Sequence, residues 1–248
     1  MMSLPAHRVL VAIPAYNEEA TLGQTVNEVR RALPGFDLLV VDDGSRDATP
    51  RVLQQLDVVT ATHLCNLGYG RAIQTAIKYA IKGDYDVLIT LDADGQHHPS
   101  QVRNMYAESV NAQWDVLIGS RHVEANDAFQ APPGRRLGMH TFSWFVKILS
   151  GRRIYDTTSG LKVIKRRVFG ALTSWQLGDL HAEAIVYLMG LGYTVGEFPV
   201  TMSARTHGAS MYTAASHVTY PLKTTVLVLL GVVQAALTRR ERRRKDMC

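Results

Sequence analysis

Short apolar runs alternate with amphipathic segments along the first half of the chain. Uninterrupted runs occur at "HRVLVAIP", "DLLVV", "YDVLITL" and "WDVLIGS", with "VVTAT" as a weaker candidate, and such runs are typical of strands buried on both faces. Between them, apolar residues recur at helical spacing over residues 21–33, 50–56, 66–82 and 99–110. Strands that alternate with helices predict an α/β protein with a mostly parallel central sheet flanked by helices on both faces.

The second half of the chain breaks this alternation. A polar segment, "EANDAFQAPPGRR", precedes a predicted helix over 137–149, and a further helix and strand are predicted over 179–189 and 193–202. We interpret this half as a cap on the sheet, so residues 1–215 are predicted to form one domain.

Residues 216–248 combine an apolar segment with a basic tail. The uninterrupted apolar core after Lys223 is shorter than the ~20 residues that cross a bilayer, which favours an interfacial or re-entrant helix. A helix packed in the core or in an oligomer is the alternative. The last ten residues hold six Lys or Arg, and the rest of the chain carries 21 basic and 20 acidic residues. Because the basicity is confined to the tail, it indicates an anionic membrane surface as partner and disfavours nucleic acid.

The overall composition is that of a globular protein, with 46% hydrophobic and 20% charged residues. Cys65 and Cys248 are the only cysteines, which argues against a disulfide framework and fits a reducing compartment. The N-terminal residues do not have the pattern of a signal peptide. We therefore expect a cytoplasmic protein, peripheral on the cytoplasmic face of the membrane.

Polar residues follow four of the predicted strands at their carboxyl ends. These stretches read "PAYNE", "DDGS", "DADGQ" and "GSR". In an open parallel sheet, ligands bind in the crevice beyond the carboxyl ends of the strands. The convergence of the four stretches therefore predicts one site, more strongly than any of them does alone.

The "DADGQ" stretch has the donors of a metal site. Asp92 and Asp94 are two residues apart in a turn, so both carboxylates can reach one hard cation, and Gln96 can add a neutral oxygen. Oxygen donors suit Mg²⁺ or Mn²⁺. For an isolated pair of this kind, a turn that caps the next helix is the alternative. His97 and His98 are expected to pack in the loop, because neighbours in sequence rarely face one site.

Four other stretches each have two interpretations. Asp42 and Asp43 can accept hydrogen bonds from a ribose or a base, or can cap the following helix. The paired glycines of "NLGYGRA" can approach a phosphate or form a tight turn. Arg121 and Arg205 are candidate diphosphate ligands, since guanidinium binds phosphate in a bidentate manner, but either can be a surface ion pair.

Taken in order, a set of stretches resembles the family 2 glycosyltransferases of GT-A fold, specifically the dolichol-phosphate mannose synthase-like branch. The set covers about residues 8–215 and reads "IPAYNEE", "VVDDGSRDAT", "NLGYGRA", "LDADGQHHP", "GSR", "DTTSGLKV", "HAEAIVYLMGLGYTVGEFPV" and "RTHGAS". The resemblance implies an inverting, metal-dependent transfer of a sugar from a nucleotide-sugar, GDP-mannose or a UDP-sugar, to a polyprenyl phosphate.

The resemblance also implies the roles of particular residues. It assigns the nucleotide pocket to Pro14, Ala15, Tyr16, Glu18, Val41, Asp43, Asp92 and Ala93. The Mg²⁺ or Mn²⁺ ligands are then Asp92, Asp94 and Gln96, and the residues at the reacting sugar and phosphates are Asp94, Arg121, Glu183 and Arg205. Two positions depart from the family pattern: Lys162 stands where the family has arginine, and Met211 lies near the place of a basic residue. The phosphate clamp or the donor can therefore differ from that of GDP-mannose enzymes.

The acceptor decides whether a general base is needed. A polyprenyl phosphate has a second pKa of about 6 and is already an anionic nucleophile near neutral pH. A hydroxyl acceptor on a glycan, protein or metabolite needs a base, for which Glu183 or Asp179 is the candidate. A protein that binds nucleotide-sugars without turnover, as a scaffold, is a further alternative. A homo-oligomer and a separate membrane partner both remain open.

Overall fold

The fold is described from a computed structural model, for residues 7–121, 147, 153–175, 180–202 and 216–246. The strands in this part of the chain are β1 (Val9–Ala15), β2 (Asp37–Asp42), β3 (Val59–Thr62), β4 (Val87–Thr90), β5 (Val116–Ser120), β6 (Lys162–Lys165) and β7 (Val195–Pro199). The helices are α1 (Leu22–Ala32), α2 (Thr49–Gln55), α3 (Tyr69–Lys82), α4 (Pro99–Asn111), α5 (Arg166–Ser174), α6 (Ala182–Gly190) and α7 (Ser216–Asp246).

The strands form one mixed sheet in the order β3-β2-β1-β4-β6-β5-β7. Neighbouring strands are parallel except at β6, which lies antiparallel between β4 and β5. The sequence-based prediction of a mostly parallel sheet is confirmed. All five strands predicted in the first half are present. β1, β4 and β5 are buried along nearly their whole length, whereas the edge strand β3 is largely exposed.

Helices cover both faces of the sheet, as the alternating pattern predicted. On one face α1, α2 and α4 pack against Val9, Val11 and Ile13 of β1. On the other face α3, α5 and α6 pack against Leu10 and Ala12 of the same strand. The alternation of side chains along β1 therefore divides the core into two clusters, one on each side of the sheet.

The interpretation of the second half as a cap was wrong for two strands. Both β6 and β7 join the central sheet, where β6 fills the position between β4 and β5. Helix α5, which begins directly after β6, was not predicted. The predicted helix over 179–189 begins in the structure at Ala182, and the one over 137–149 lies outside the described residues apart from Lys147, which is helical.

The C-terminal helix α7 packs on α6 with small residues at the crossing. Val228, Gly231 and Ala235 are buried, and a Cβ at position 231 would lie 2.9 Å from the carbonyl oxygen of Glu183. On the other side of α7 an apolar stripe faces outward. The stripe consists of Val226, Leu229, Leu230, Val233 and Leu237, which are all exposed. No helix in the described ranges is both long and apolar enough to cross a membrane.

Candidate active site

The predicted polar stretches lie at one edge of the sheet. After β4, the amide of Leu91 still donates to Ala12 of β1 at 3.0 Å, and the chain then turns through residues 92–96. Gly95 adopts a positive φ of 70° in this turn, a conformation that glycine adopts without strain. Because β6 runs antiparallel, its amino end brings Gly160 and Lys162 to the same edge.

Asp92 lies against three residues of the protein. Its Oδ2 atom is 3.6 Å from Nε2 of His97, and 31% of its side chain is exposed. A Cβ at position 160 would overlap both carboxylate oxygens, so the carboxylate lies directly over the Cα atom of Gly160. Burial raises the pKa of Asp92, but neighbouring His97 and the charge of Lys162 outweigh it and hold that pKa below its ordinary value. The carboxylate is therefore ionised at neutral pH.

Lys162 is the buried cation of the site. Its ammonium group donates to the carbonyl oxygen of Ser159, and the residue is 3% exposed. Burial lowers the pKa of Lys162 to about 8, and the charges of Asp92, Asp156 and Glu183 oppose that shift. The charges of three carboxylates from different segments of the chain therefore act on this one ammonium group.

Arg121 is held by a bidentate ion pair with Asp156. The distances are 2.6 Å from Nε to Oδ2 and 2.7 Å from NH2 to Oδ1, and the Asp156 side chain is fully buried. The backbone amides of Tyr155 and Asp156 donate to Glu197 of β7, each at 2.8 Å. Burial raises the pKa of Glu197, against these two hydrogen bonds. The network fixes Arg121 at the end of β5, with its guanidinium directed toward the 156–158 segment.

Asp94 is 6% exposed and accepts a hydrogen bond from the amide of Gln96 at 3.1 Å. Within the described ranges, no three His, Cys, Asp or Glu side chains form a group that could hold a metal ion. The oxygen donors of Asp92 and Asp94 still suit a hard cation, provided that other oxygens complete its coordination. The side chain of Gln96 and the phosphates of a bound donor can supply them.

Asp43 organises the loop after β3. Its carboxylate lies 2.7 Å from Nδ1 of His63 and accepts from the amides of Leu67 and Gly68 at 2.9 and 2.8 Å. Gly68 has a φ of 92° and caps α3, so the glycine pair of "NLGYGRA" forms a tight turn around a protein carboxylate. The role of Asp43 at a nucleobase stays a prediction.

The residues predicted to line the nucleotide pocket surround the ends of β1 and β2. Tyr16 is exposed, and Glu18 accepts from Thr21 at 2.7 Å while its amide donates to Thr49 at 2.8 Å. The remaining members of the predicted set are Pro14, which is half-buried, and Ala15, Val41 and Ala93, which are buried. A cavity of about 510 Å³ opens beside the ends of β2 and β3, where Asp42 and His63 contribute to its lining.

Glu183 lies in the first turn of α6 and is buried. His181, at the N-cap of this helix, stacks on Tyr69 of α3 with ring centroids 5.8 Å apart. His181 and Lys162 both act to lower the pKa of Asp92, which links the first turn of α6 electrostatically to the turn after β4.

The family is decided by the match of a family model. The model of "Glycosyl transferase family 2" matches residues 10–172, more than half of the chain. The chain belongs to glycosyl transferase family 2. It is a glycosyltransferase, as the ordered motifs predicted.

Two curated relatives of the transferase act on polyprenyl substrates according to their names. The polyprenol monophosphomannose synthase of Mycolicibacterium smegmatis is 32% identical over 219 residues, which cover 83% of this chain and 81% of the relative. The undecaprenyl-phosphate mannosyltransferase of Micrococcus luteus is 30% identical over 215 residues, covering 82% and 86% of the two chains.

A solved structure with the same fold is that of glucosyl-3-phosphoglycerate synthase from Mycobacterium tuberculosis with Mn²⁺, UDP-glucose and phosphoglyceric acid. It superposes with a TM-score of 0.67 at 15% identity, over 92% of the transferase and 80% of that chain. The predicted GT-A fold is thereby confirmed.

The structure brings Asp92, Arg121 and Glu183 of the transferase to one edge of the sheet. Arg205 and Asp179, which sequence reasoning also named, lie outside the described residues. Sequence reasoning missed Asp156 and Gly160 as residues of the site and did not place His97 beside Asp92. The only sequence signal of Asp156 and Gly160 was the stretch "DTTSG" within the family motif, because the contacts of these residues depend on the antiparallel position of β6.

Proposed function

We propose that the transferase moves a sugar from a nucleotide-sugar, GDP-mannose or a UDP-sugar, to a polyprenyl phosphate at a membrane surface, with inversion of the anomeric centre. The observation that carries the proposal is that Asp92 after β4, Arg121 after β5 and buried Lys162 at the amino end of β6 lie at one edge of the sheet. Lys162 and Arg121 suit the phosphates of a polyanionic substrate, and the carboxylates of the turn after β4 suit a divalent cation bound with it. The relatives named for polyprenyl substrates favour the lipid acceptor.

A divalent cation fits the donor side of this site. We propose that Asp92, Asp94 and Gln96 hold Mg²⁺ or Mn²⁺ together with the diphosphate of the donor. When bound, the cation stabilises the negative charge that develops on the departing nucleoside diphosphate. The fit rests on the oxygen donors of Asp92, with its partly exposed carboxylate, and of buried Asp94.

The acceptor phosphate needs positive charge more than it needs a base. An ionised phosphate oxygen attacks the anomeric carbon directly, so the protein has to orient the acceptor and exclude water. We assign this orientation to Arg121, whose guanidinium is fixed by Asp156, and to Arg205. Glu183 supports a second candidate, transfer to a hydroxyl, because its carboxylate is buried in the first turn of α6 and its charge acts on Lys162.

A transfer assay tests the proposal. Detergent-solubilised protein is incubated with radiolabelled GDP-mannose or UDP-sugars and a short polyprenyl phosphate, with Mn²⁺ or with EDTA. We expect labelled lipid from one donor, and a loss of about 100-fold or more with Asp94→Ala. Undiminished transfer in EDTA would contradict the metal. Transfer only to a hydroxyl acceptor, abolished in Glu183→Gln, would establish the second candidate.

We further propose that the exposed stripe of α7 and its basic end contact an anionic bilayer. Val226, Leu229, Leu230, Val233 and Leu237 form the apolar side, and Arg239, Arg240 and Arg244 follow with exposed side chains. An amphipathic helix of this kind lies in the membrane interface, while arginines bind lipid phosphates. The site would then meet its lipid acceptor from the side of α6, which packs on α7.

Vesicle flotation tests this contact. We expect the protein to float with vesicles that contain anionic lipid and to remain in solution with neutral vesicles. The double variant Leu229→Glu/Val233→Glu should lose flotation. The control variant Leu64→Glu replaces an exposed apolar residue in the loop after the edge strand β3, and it should retain flotation. Equal flotation of the two variants would contradict the assignment of the stripe.

A further inference from the structure

The carboxylate of Asp92 is partly exposed, and three residues form the protein side of it. Gly160, Lys162 and His97 contact it or lie beside it, and we call these three residues the Asp92 cradle. Gly160 lies in the segment that leads into β6, Lys162 is the first residue of β6, and His97 comes from the loop before α4. The cradle is therefore assembled only when β6 pairs with β4.

Gly160 is the floor of the cradle. Any Cβ at this position would overlap both oxygens of Asp92, although the backbone conformation of Gly160 itself does not require glycine. The carbonyl oxygen of Gly160 accepts a hydrogen bond from Thr90 Oγ1 at 2.6 Å, which holds the segment against β4. The absence of a side chain at position 160 therefore leaves room for the carboxylate of Asp92. The backbone at this position has little freedom to move away from that carboxylate.

His97 is the wall of the cradle. Its side chain is 2% exposed, and within the described part of the chain neither ring nitrogen has a hydrogen-bond partner. Burying two unsatisfied polar atoms is unfavourable unless a partner becomes available. Oδ2 of Asp92 lies 3.6 Å from Nε2 of His97, so a displacement of a few tenths of an ångström completes a hydrogen bond.

We infer that Gly160 and His97 are positioning residues that hold the Asp92 carboxylate in one orientation, with Lys162 as its fixed counter-charge. The inference deepens the proposed function, because it rests on Asp92 as a ligand of the cation. Residues that orient a metal ligand typically change metal affinity about 10–100-fold when they are replaced. Neither Gly160 nor His97 needs to touch the substrate to have this effect.

Gly160→Ala tests the floor. In metal-free protein we expect a lower melting temperature for Gly160→Ala, because its methyl group displaces the carboxylate. In an Asp92→Ala background the space is vacated, so the same substitution should leave the melting temperature almost unchanged. The control is Gly170→Ala, where a Cβ meets nothing within 4 Å. An equal loss in both backgrounds would show that position 160 acts through the backbone and would overturn the inference.

Mn²⁺ binding tests the wall. In a titration followed by electron paramagnetic resonance, His97→Ala should bind Mn²⁺ about ten-fold more weakly or worse than the original protein. His97→Gln keeps a hydrogen-bond donor, so its affinity should recover. The exposed neighbour supplies the control, His98→Ala, which should bind like the original protein. Unchanged affinity in His97→Ala would overturn the role of His97. The melting temperatures of the Gly160 variants are measured without sugar donor or acceptor. A negative transfer assay would therefore contradict the proposed function without contradicting the role of Gly160.

Discussion

Arg121 with Asp156 and Arg166 with Asp84 form the same type of ion pair at opposite ends of the sheet. At the carboxyl ends, the side chains of Arg121 and Asp156 are 15% and 0% exposed, and the pair is bidentate. At the amino ends, Arg166 and Asp84 lie 2.7 Å apart but are 46% and 81% exposed. Solvent screens the second pair and not the first. The difference indicates that the carboxyl end retains costly charges for the site, whereas the amino end carries charges that the fold can lose.

The largest effect is expected from Asp156→Ala. The substitution leaves the partly buried guanidinium of Arg121 without its counter-charge, which typically costs about 3–5 kcal/mol. Urea denaturation followed by circular dichroism measures the free energy of unfolding. Asp156→Asn keeps the shape of the side chain and removes its charge. Its free energy of unfolding should lie between those of the original protein and Asp156→Ala. A loss below about 1 kcal/mol would mean that burial does not distinguish the two pairs.

A smaller effect on the free energy of unfolding is expected at alkaline pH from Tyr85, at the amino ends of the parallel strands. Burial and then the hydrogen bond to Asp37, 2.7 Å long, raise the pKa of Tyr85 to about 12. Its raised pKa means that the folded protein keeps a proton that the unfolded chain loses above about pH 10. The stability that depends on this proton is therefore fully present below pH 10. It falls as the pH rises toward 12, by roughly 1 kcal/mol for each pH unit.

Tyr85→Phe should remove this part of the alkaline loss. Urea midpoints at pH 9 and pH 11 compare the two proteins, and the variant should change less between these values. Equal declines of the urea midpoint in the two proteins would show that Tyr85 does not hold its proton in the folded state. Among the residues compared, the amino end of the sheet would then contain no buried titrating group of this strength.

The smallest effect is expected from Asp84→Ala. Loss of an exposed ion pair costs about 0.2–1 kcal/mol, and salt reduces it further. Thermal unfolding of Asp84→Ala, Arg166→Ala and the double variant gives the coupling energy of the pair. A coupling that approaches the cost of Asp156→Ala would erase the contrast between the two ends of the sheet.

The first half of the fold could be predicted from the sequence because each buried strand is a continuous apolar run. Val87–Thr90 and Val116–Ser120 have no charged residue, and each is followed by the polar residues of the site. β6 escaped prediction as a sheet strand because it reads "KVIK", with charges at both ends of four residues. Its antiparallel direction could not be read from local pattern, since pairing with β4 and β5 is a long-range property.

The site was predicted in part for the same reason. Asp92 and Asp94 were found because they follow a predicted strand, and Glu183 because it belongs to an ordered family motif. Lys162 was noticed only as a departure from that motif. Its position among three carboxylates became visible once β6 was placed in the sheet. Contacts across 68 residues of sequence, as between Asp92 and Gly160, leave no periodic signal.

The crossing of α6 and α7 has a practical consequence for protein engineering. Because Gly231 lies against the backbone of Glu183, and Ala235 lies against Gly190, the C-terminal helix is a wall of the catalytic half as well as an outer surface. Deleting it to gain solubility would uncover the apolar residues of α6 and invite aggregation. A better-behaved protein should come from polar replacements confined to the outward stripe, with the glycine and alanine positions left intact.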